Sequence, residues 1–273
     1  MFSYCTSLTT APKLSATKLA KNCYQRMFNE CTSLKNAPEL PATELAEGCY
    51  YDMFACCTNL IIAPQLPATI LAKNCYANMF TNCSSLIIAP QLPATILAEK
   101  CYYLMFEDCS NLKISPELPA TKLAEFCYFW MFRNCTNLTT APSLPATTLD
   151  EYCYILMFDG CSNLTTAPEL PATILAKWCY DSMFRNCTNL VTAPQLPAPK
   201  LVEGCYSNMF INCSNLTNIT MLATEISARF CLDNWTENIC STGIFTKAKE
   251  MESLPKGNNG IPYGWAIKNY GEE

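Results

Sequence analysis

From Leu45 onward the apolar residues come in pairs: Leu45 with Ala46, Cys49 with Tyr50, Met53 with Phe54, and then Cys57. Pairs four residues apart predict one buried face of a helix of about three turns. Thr43 stands just ahead of the run, where an N-cap belongs. Upstream, Leu34, Ala37 and Leu40 are spaced by three, and Pro38 and Pro41 forbid a helix through them. The stretch from Leu34 to Leu40 therefore predicts a short strand interrupted by proline. A single strand and helix bury too little to be stable alone.

The same pattern returns along the chain. Cysteines recur every 26 residues in two series, Cys5 to Cys213 and Cys23 to Cys231, which leave only Cys56 and Cys240 outside. The consensus is C-[TS]-[SN]-L-x-x-A-P-x-L-P-A-T-x-L-A-x-x-C-Y-x-x-M-F-x-x. Eight copies cover residues 5–212 without insertion or deletion. A ninth, 213–240, is degraded: it loses the proline of LPAT, and Trp235 replaces the methionine of the MF pair. A propeller blade needs about 40 residues, so a 26-residue unit has room for one short strand and one short helix. The expected fold class is α/β, a leucine-rich-repeat solenoid whose strands stack in parallel about 4.8 Å apart. Proline removes a ladder donor from each strand, so the sheet should be irregular. Met1-Phe2-Ser3-Tyr4 has the form of Met27-Phe28-Asn29-Glu30. Residues 1–4 therefore read as the end of a truncated preceding repeat, 5–240 as the solenoid, and 241–273 as a C-terminal cap of short strands. On this reading the chain is a fragment of a longer repeat protein.

The motif L-x-x-A-P-x-L-P-A-T-x-L-A-x-x-C-Y-x-x-M-F-x-x-C, recurring in fixed register, resembles the BspA-like leucine-rich-repeat proteins of anaerobic gut and oral bacteria. Gly243-Ile244-Phe245 and Gly260-Ile261-Pro262-Tyr263-Gly264-Trp265 look like the C-terminal cap of such proteins. The resemblance implies an extracellular or surface-attached protein associated with adhesion and protein binding. The commoner family repeat is about three residues shorter.

Composition narrows the chemistry. Among 273 residues there is no histidine, which removes Ser-His-Asp, Cys-His and histidine-based metal sites. The net charge of −5 lacks the basic excess of a nucleic-acid binder. No run of about 18 apolar residues occurs, so no helical transmembrane segment is expected. Carboxylates such as Glu47, Glu99, Glu125 and Glu151 recur at one outer position and read as a solvated face. Neither a catalytic residue nor a cofactor is expected. LPAT is similar to a cell-wall sorting signal, but no glycine follows it and no apolar tail with a basic end comes after the last copy. Most of the 18 repeat cysteines, of 20 in all, are expected to be buried, reduced thiols in two core columns, with a disulfide framework and a metal array as the alternatives. Cys56 falls at an outer position, where it is a neutral substitution or a reactive thiol.

Candidate binding residues are those that vary against the repeat frame. On a helical wheel the positions of Asn22, Gln25, Arg26 and Asn29 face solvent, and in most repeats they are polar. In the middle repeats they become Tyr103, Leu104, Phe126, Phe129, Trp130, Tyr152, Ile155, Leu156 and Trp178. Side by side on the convex surface, these would form an apolar patch of the kind that marks an interface. A weaker second candidate is the strand side, with Ile61, Ile62, Ile87, Ile88, Lys113 and Ile114. The expected function is non-enzymatic binding by a bacterial cell-surface protein, to a protein or glycan ligand on host or neighbouring cells. Self-association through the patch is a further use. The alternatives are a carbohydrate-binding module, with the aromatics stacked on sugar faces, and a passive structural spacer.

Overall fold

The computed structural model describes residues 1–251 and 254–272. The repeats lie one on the next in register, so that each residue sits beside its equivalent 26 positions on. The proline-containing half of each repeat makes parallel bridges to its neighbour, such as Asn36 to Ile62, Ile88 to Ile114 and Thr140 to Thr166. Only near the C-terminus do these lengthen into a sheet, with β1 at Asn218–Met221, β2 at Ile244–Lys247 and β3 at Ala266–Asn269, ordered β1-β2-β3 and all parallel. Proline in the earlier repeats explains the contrast: β1 is the copy in which the A-P pair is replaced by Ile219-Thr220.

The second half of the repeat departs from the sequence expectation. No helix occurs among the described residues; the segment is a spiral of tight turns. Every fourth residue takes positive φ: Asn22, Arg26 and Glu30 at 55–58°, and Asn74, Asn78 and Asn82 at 55–57°. Each turn closes on itself, as when the Gln25 N–H donates to the Asn22 carbonyl and the Met27 N–H to the Tyr24 carbonyl. The alternate N–H groups leave the repeat: Tyr24 donates to the Cys49 carbonyl at 2.9 Å, Arg26 to Tyr51 at 2.8 Å and Phe28 to Met53 at 2.9 Å. In the interior repeats, such as Gly48 to Cys57, the backbone groups of these turns thus find partners, as burial requires. The cross-repeat backbone bonds in this half all run in one direction, from each repeat to the next. A left-handed residue costs about 1 kcal/mol or more unless it is glycine or a residue whose short polar side chain tolerates the region. Asparagine accordingly holds ten of these positions.

A turn spiral with a period of four keeps the Cys-Tyr, Met-Phe and Cys positions facing inward without drift. Phe28, Phe54, Phe80 and Phe106 stack face to face at 5.5–5.7 Å, and the tyrosines from Tyr24 to Tyr206 form a second ladder. Tyr, Met, Phe and both cysteine columns are buried through the interior repeats. The phenylalanine ladder ends on Trp235, which turns edge-on to Phe245 and donates Nε1–H to the Gly260 carbonyl at 2.9 Å.

All twenty cysteines are free thiols. The two columns differ in chemistry. In the series from Cys31 to Cys213 the Sγ donates to the phenylalanine carbonyl of the preceding repeat, as from Cys57 to Phe28 at 3.0 Å and from Cys135 to Phe106 at 3.1 Å. The other series makes weaker bonds in the interior, where the Cys127 Sγ lies 3.9 Å from the Cys153 carbonyl, and only its last member, Cys231, donates at 3.2 Å, to the Ile226 carbonyl. Burial pushes the Cys127 thiol up to about 12 and the Cys135 thiol well above its ordinary range, so neither offers a thiolate.

Candidate functional site

The outer positions of the turn spiral form columns, as the cross-repeat hydrogen bonds require. One column runs through Lys100, Phe126, Tyr152, Trp178, Gly204 and Phe230. Phe126 and Tyr152 stack at 4.6 Å, and the Lys100 ammonium lies 5.1 Å from the Phe126 ring. Trp178 reaches across repeat eight to Phe230, ring centroids 6.1 Å apart. Gly204 makes this possible, because a Cβ there would sit 2.3 Å from the Trp178 indole. A second column stacks Tyr103 on Phe129 at 4.7 Å. Phe129 in turn meets Trp130 at 5.0 Å, and the Arg133 guanidinium lies 4.4 Å from the indole.

The structure therefore brings the sequence-predicted aromatic residues together on one face, although turns and not helices position them. Tyr103, Leu104, Phe126, Phe129, Trp130, Tyr152, Ile155, Leu156 and Trp178 are each half-buried. The residues that sequence reasoning omitted are Lys100, Arg133, Gly204 and Phe230. Phe230 could have been found by stepping 52 residues from Trp178, past a glycine, in the same register.

Six of the patch residues share a backbone feature. Leu104, Phe126, Trp130, Tyr152, Leu156 and Trp178 all have φ between 52° and 57°. They occupy the positions that other repeats give to Asn74, Asn78, Gly204 and Asn208. Large side chains are genuine outliers in this region, and such strain concentrates where a function maintains it. Ring stacking, at about 0.5–1.5 kcal/mol per pair, offsets part of the cost.

Beside the patch an alternating ion ladder crosses four repeats. Glu107, Arg133, Asp159 and Arg185 occupy equivalent positions, with Arg133 to Glu107 at 2.7 Å, Arg133 to Asp159 at 3.4 Å and Arg185 to Asp159 at 2.9 Å. Asp159 is only 2% exposed and also accepts from Asn186 Nδ2 at 2.8 Å. Burial raises the Glu107 pKa while Arg133 opposes the shift. These charges are internally matched, so they position the aromatic rows without offering a free charge.

The strand side is the more exposed of the two candidates. Ile62 and Ile88 are 62% and 55% exposed, and Ile61, Ile87, Lys113 and Ile114 are exposed as well. Ile61, Ile62, Ile87 and Ile88 line a shallow groove of about 350 Å³. Ile62, Ile88 and Ile114 sit at bridge positions, where β-branched residues suit the backbone, so local structure accounts for their identity. It does not account for tryptophan or phenylalanine at positive φ. Among the described residues no cluster of three or more cysteine or carboxylate side chains is placed to hold a metal ion, and no helix is long and apolar enough to cross a membrane. No family model, curated protein or solved structure matches the chain.

Proposed function

We propose that the chain is a non-enzymatic binding protein that contacts a protein partner through the aromatic rows of its turn face. The observation that carries the reading is the placement of bulky residues, Phe126, Trp130, Tyr152 and Trp178 among them, where the backbone favours asparagine or glycine. In this reading the fold is a leucine-rich-repeat solenoid of the BspA-like kind, with 241–273 as its cap. Its setting is a bacterial cell surface, where it contacts host or microbial macromolecules. A protein partner fits better than a glycan. A sugar needs an open ring face, whereas Phe126 has Tyr152 and Lys100 against its ring and Phe129 has Tyr103 and Trp130. The two phenylalanines at the centre of the rows therefore present ring edges, which suit packing against apolar side chains.

The test is to restore the residue that other repeats use. Phe126→Asn with Trp130→Asn is expected to leave folding stability within about 1 kcal/mol of wild type, because lost stacking is offset by relief at positive φ. Binding to the protein members of a panel of immobilised surface proteins should disappear, and a glycan array should show no signal with either form. An unfolded double variant would show that these rings are core. Unchanged protein binding, or binding confined to the glycan array, would refute the reading.

A further inference from the structure

We propose that the aromatic rows receive a cationic protein segment, whose lysine or arginine side chains neutralise Glu125 and Glu151 while its apolar side chains cover the ring edges. The inference rests on the binding role proposed above. Its starting point is one column at the margin of the rows. Elsewhere in that column each carboxylate meets an ammonium group from the repeat before it: Lys21 to Glu47 at 3.0 Å, Lys73 to Glu99 at 2.8 Å and Lys177 to Glu203 at 3.2 Å. Glu125 and Glu151 break the pattern. They are successive members of the column, tied together where the Phe126 N–H donates to the Glu151 carbonyl at 3.3 Å. Both are exposed, and among the described residues neither has a cation within ion-pair distance.

Two like charges side by side on a ladder repel, where a lysine in either place would attract. Each precedes an aromatic residue of the first row, Phe126 or Tyr152. Asp150 adds a third exposed carboxylate. Three of the nearby cations are already engaged. Lys100 lies 3.6 Å from Glu99 and against the Phe126 ring, Lys177 is turned toward Glu203, and Arg133 is held between Glu107 and Asp159. Lys122 lines a shallow groove together with Asp150, and neither Glu125 nor Glu151 borders it. The three carboxylates are not grouped as metal ligands. A face with apolar ring edges and an unmatched negative margin is complementary to a segment that alternates cationic and apolar side chains.

The probe is a labelled synthetic peptide alternating arginine with leucine, alongside a glutamate–leucine counterpart. Wild type should bind the arginine peptide, less tightly as salt rises, and should ignore the glutamate peptide. Glu125→Gln with Glu151→Gln should weaken binding roughly fivefold or more without lowering the melting temperature, since the repulsion is relieved. Glu39→Gln with Glu169→Gln, which removes two exposed carboxylates on the proline side, should change binding little. Equal losses in the two glutamine pairs, or none in either, would overturn the cationic partner. If Phe126→Asn with Trp130→Asn abolishes peptide binding while the Glu125 and Glu151 variant keeps it, the cationic segment is wrong and the aromatic face stands. If the aromatic variant also binds like wild type, the face itself is not the binding surface. Sedimentation showing dimers of wild type that dissociate in the Glu125 and Glu151 variant would make a second copy the occupant and overturn the proposal.

Discussion

Phe132→Ala is expected to lower folding stability by about 3–5 kcal/mol, measured by urea denaturation. Phe132 is fully buried and stacks on Phe106 at 5.7 Å and on Phe158 at 5.6 Å, so its removal opens a cavity and interrupts the ladder in mid-stack. Its backbone also carries the join between three repeats. The Phe132 N–H donates to the Met157 carbonyl at 2.9 Å, and its carbonyl accepts from the Cys135 N–H and the Cys161 Sγ. Because contacts run mostly between adjacent repeats, the two flanking segments should separate energetically, and the urea transition should broaden. Phe2→Ala, at a half-buried ring stacked on one side only, should cost well under half as much. Equal losses at the two sites would mean that stacking through the interior is not what holds the repeats together.

The cysteine columns should answer differently to serine. At Cys127 the sulfur's contact with the Cys153 carbonyl is a long one, 3.9 Å, too far for a hydroxyl to bond, and the expected loss is about 1–3 kcal/mol. At Cys135 serine inherits the bond to the Phe106 carbonyl, made by sulfur at 3.1 Å, and the loss should stay below about 1 kcal/mol. In the native protein a thiol reagent should reach only the exposed Cys5 and Cys23 and the half-buried Cys56 and Cys240. In denaturant all twenty should react. A uniform response of the two columns to serine would contradict the hydrogen-bonding role of the second.

The register of the repeat and the identity of the core columns were legible in the sequence. The step between cysteines, and the Tyr, Met and Phe positions between them, dictate which side chains meet their equivalents. The helix was misread for a physical reason. Apolar pairs at Leu45, Cys49, Met53 and Cys57 are spaced by four with no slip, whereas a helix of about 3.6 residues per turn would carry the face round. Asn74, Asn78 and Asn82 mark the left-handed positions at the same spacing. The wheel still sorted inside from outside, because the two periods diverge slowly over a segment this short. The bonds that define the spiral join residues 25 apart, such as Tyr24 to Cys49, and no local pattern announces them. The aromatic residues of the candidate site were found by position. Their strain, the engagement of Arg133 and Lys100, and the opening that Gly204 gives Trp178 required backbone angles and side-chain packing.

The second half of each repeat is a turn spiral hydrogen-bonded forward to the next repeat. Scalar couplings across hydrogen bonds, measured by NMR on isotope-labelled protein, test it most directly. Coupling is expected from the Tyr102 N–H to the Cys127 carbonyl and from the Leu104 N–H to the Phe129 carbonyl, with the intervening Tyr103 N–H coupled to Lys100. Couplings from each N–H to the carbonyl four residues earlier would mean an α-helix, and would contradict both the turn spiral and the strained placement of the aromatic rows.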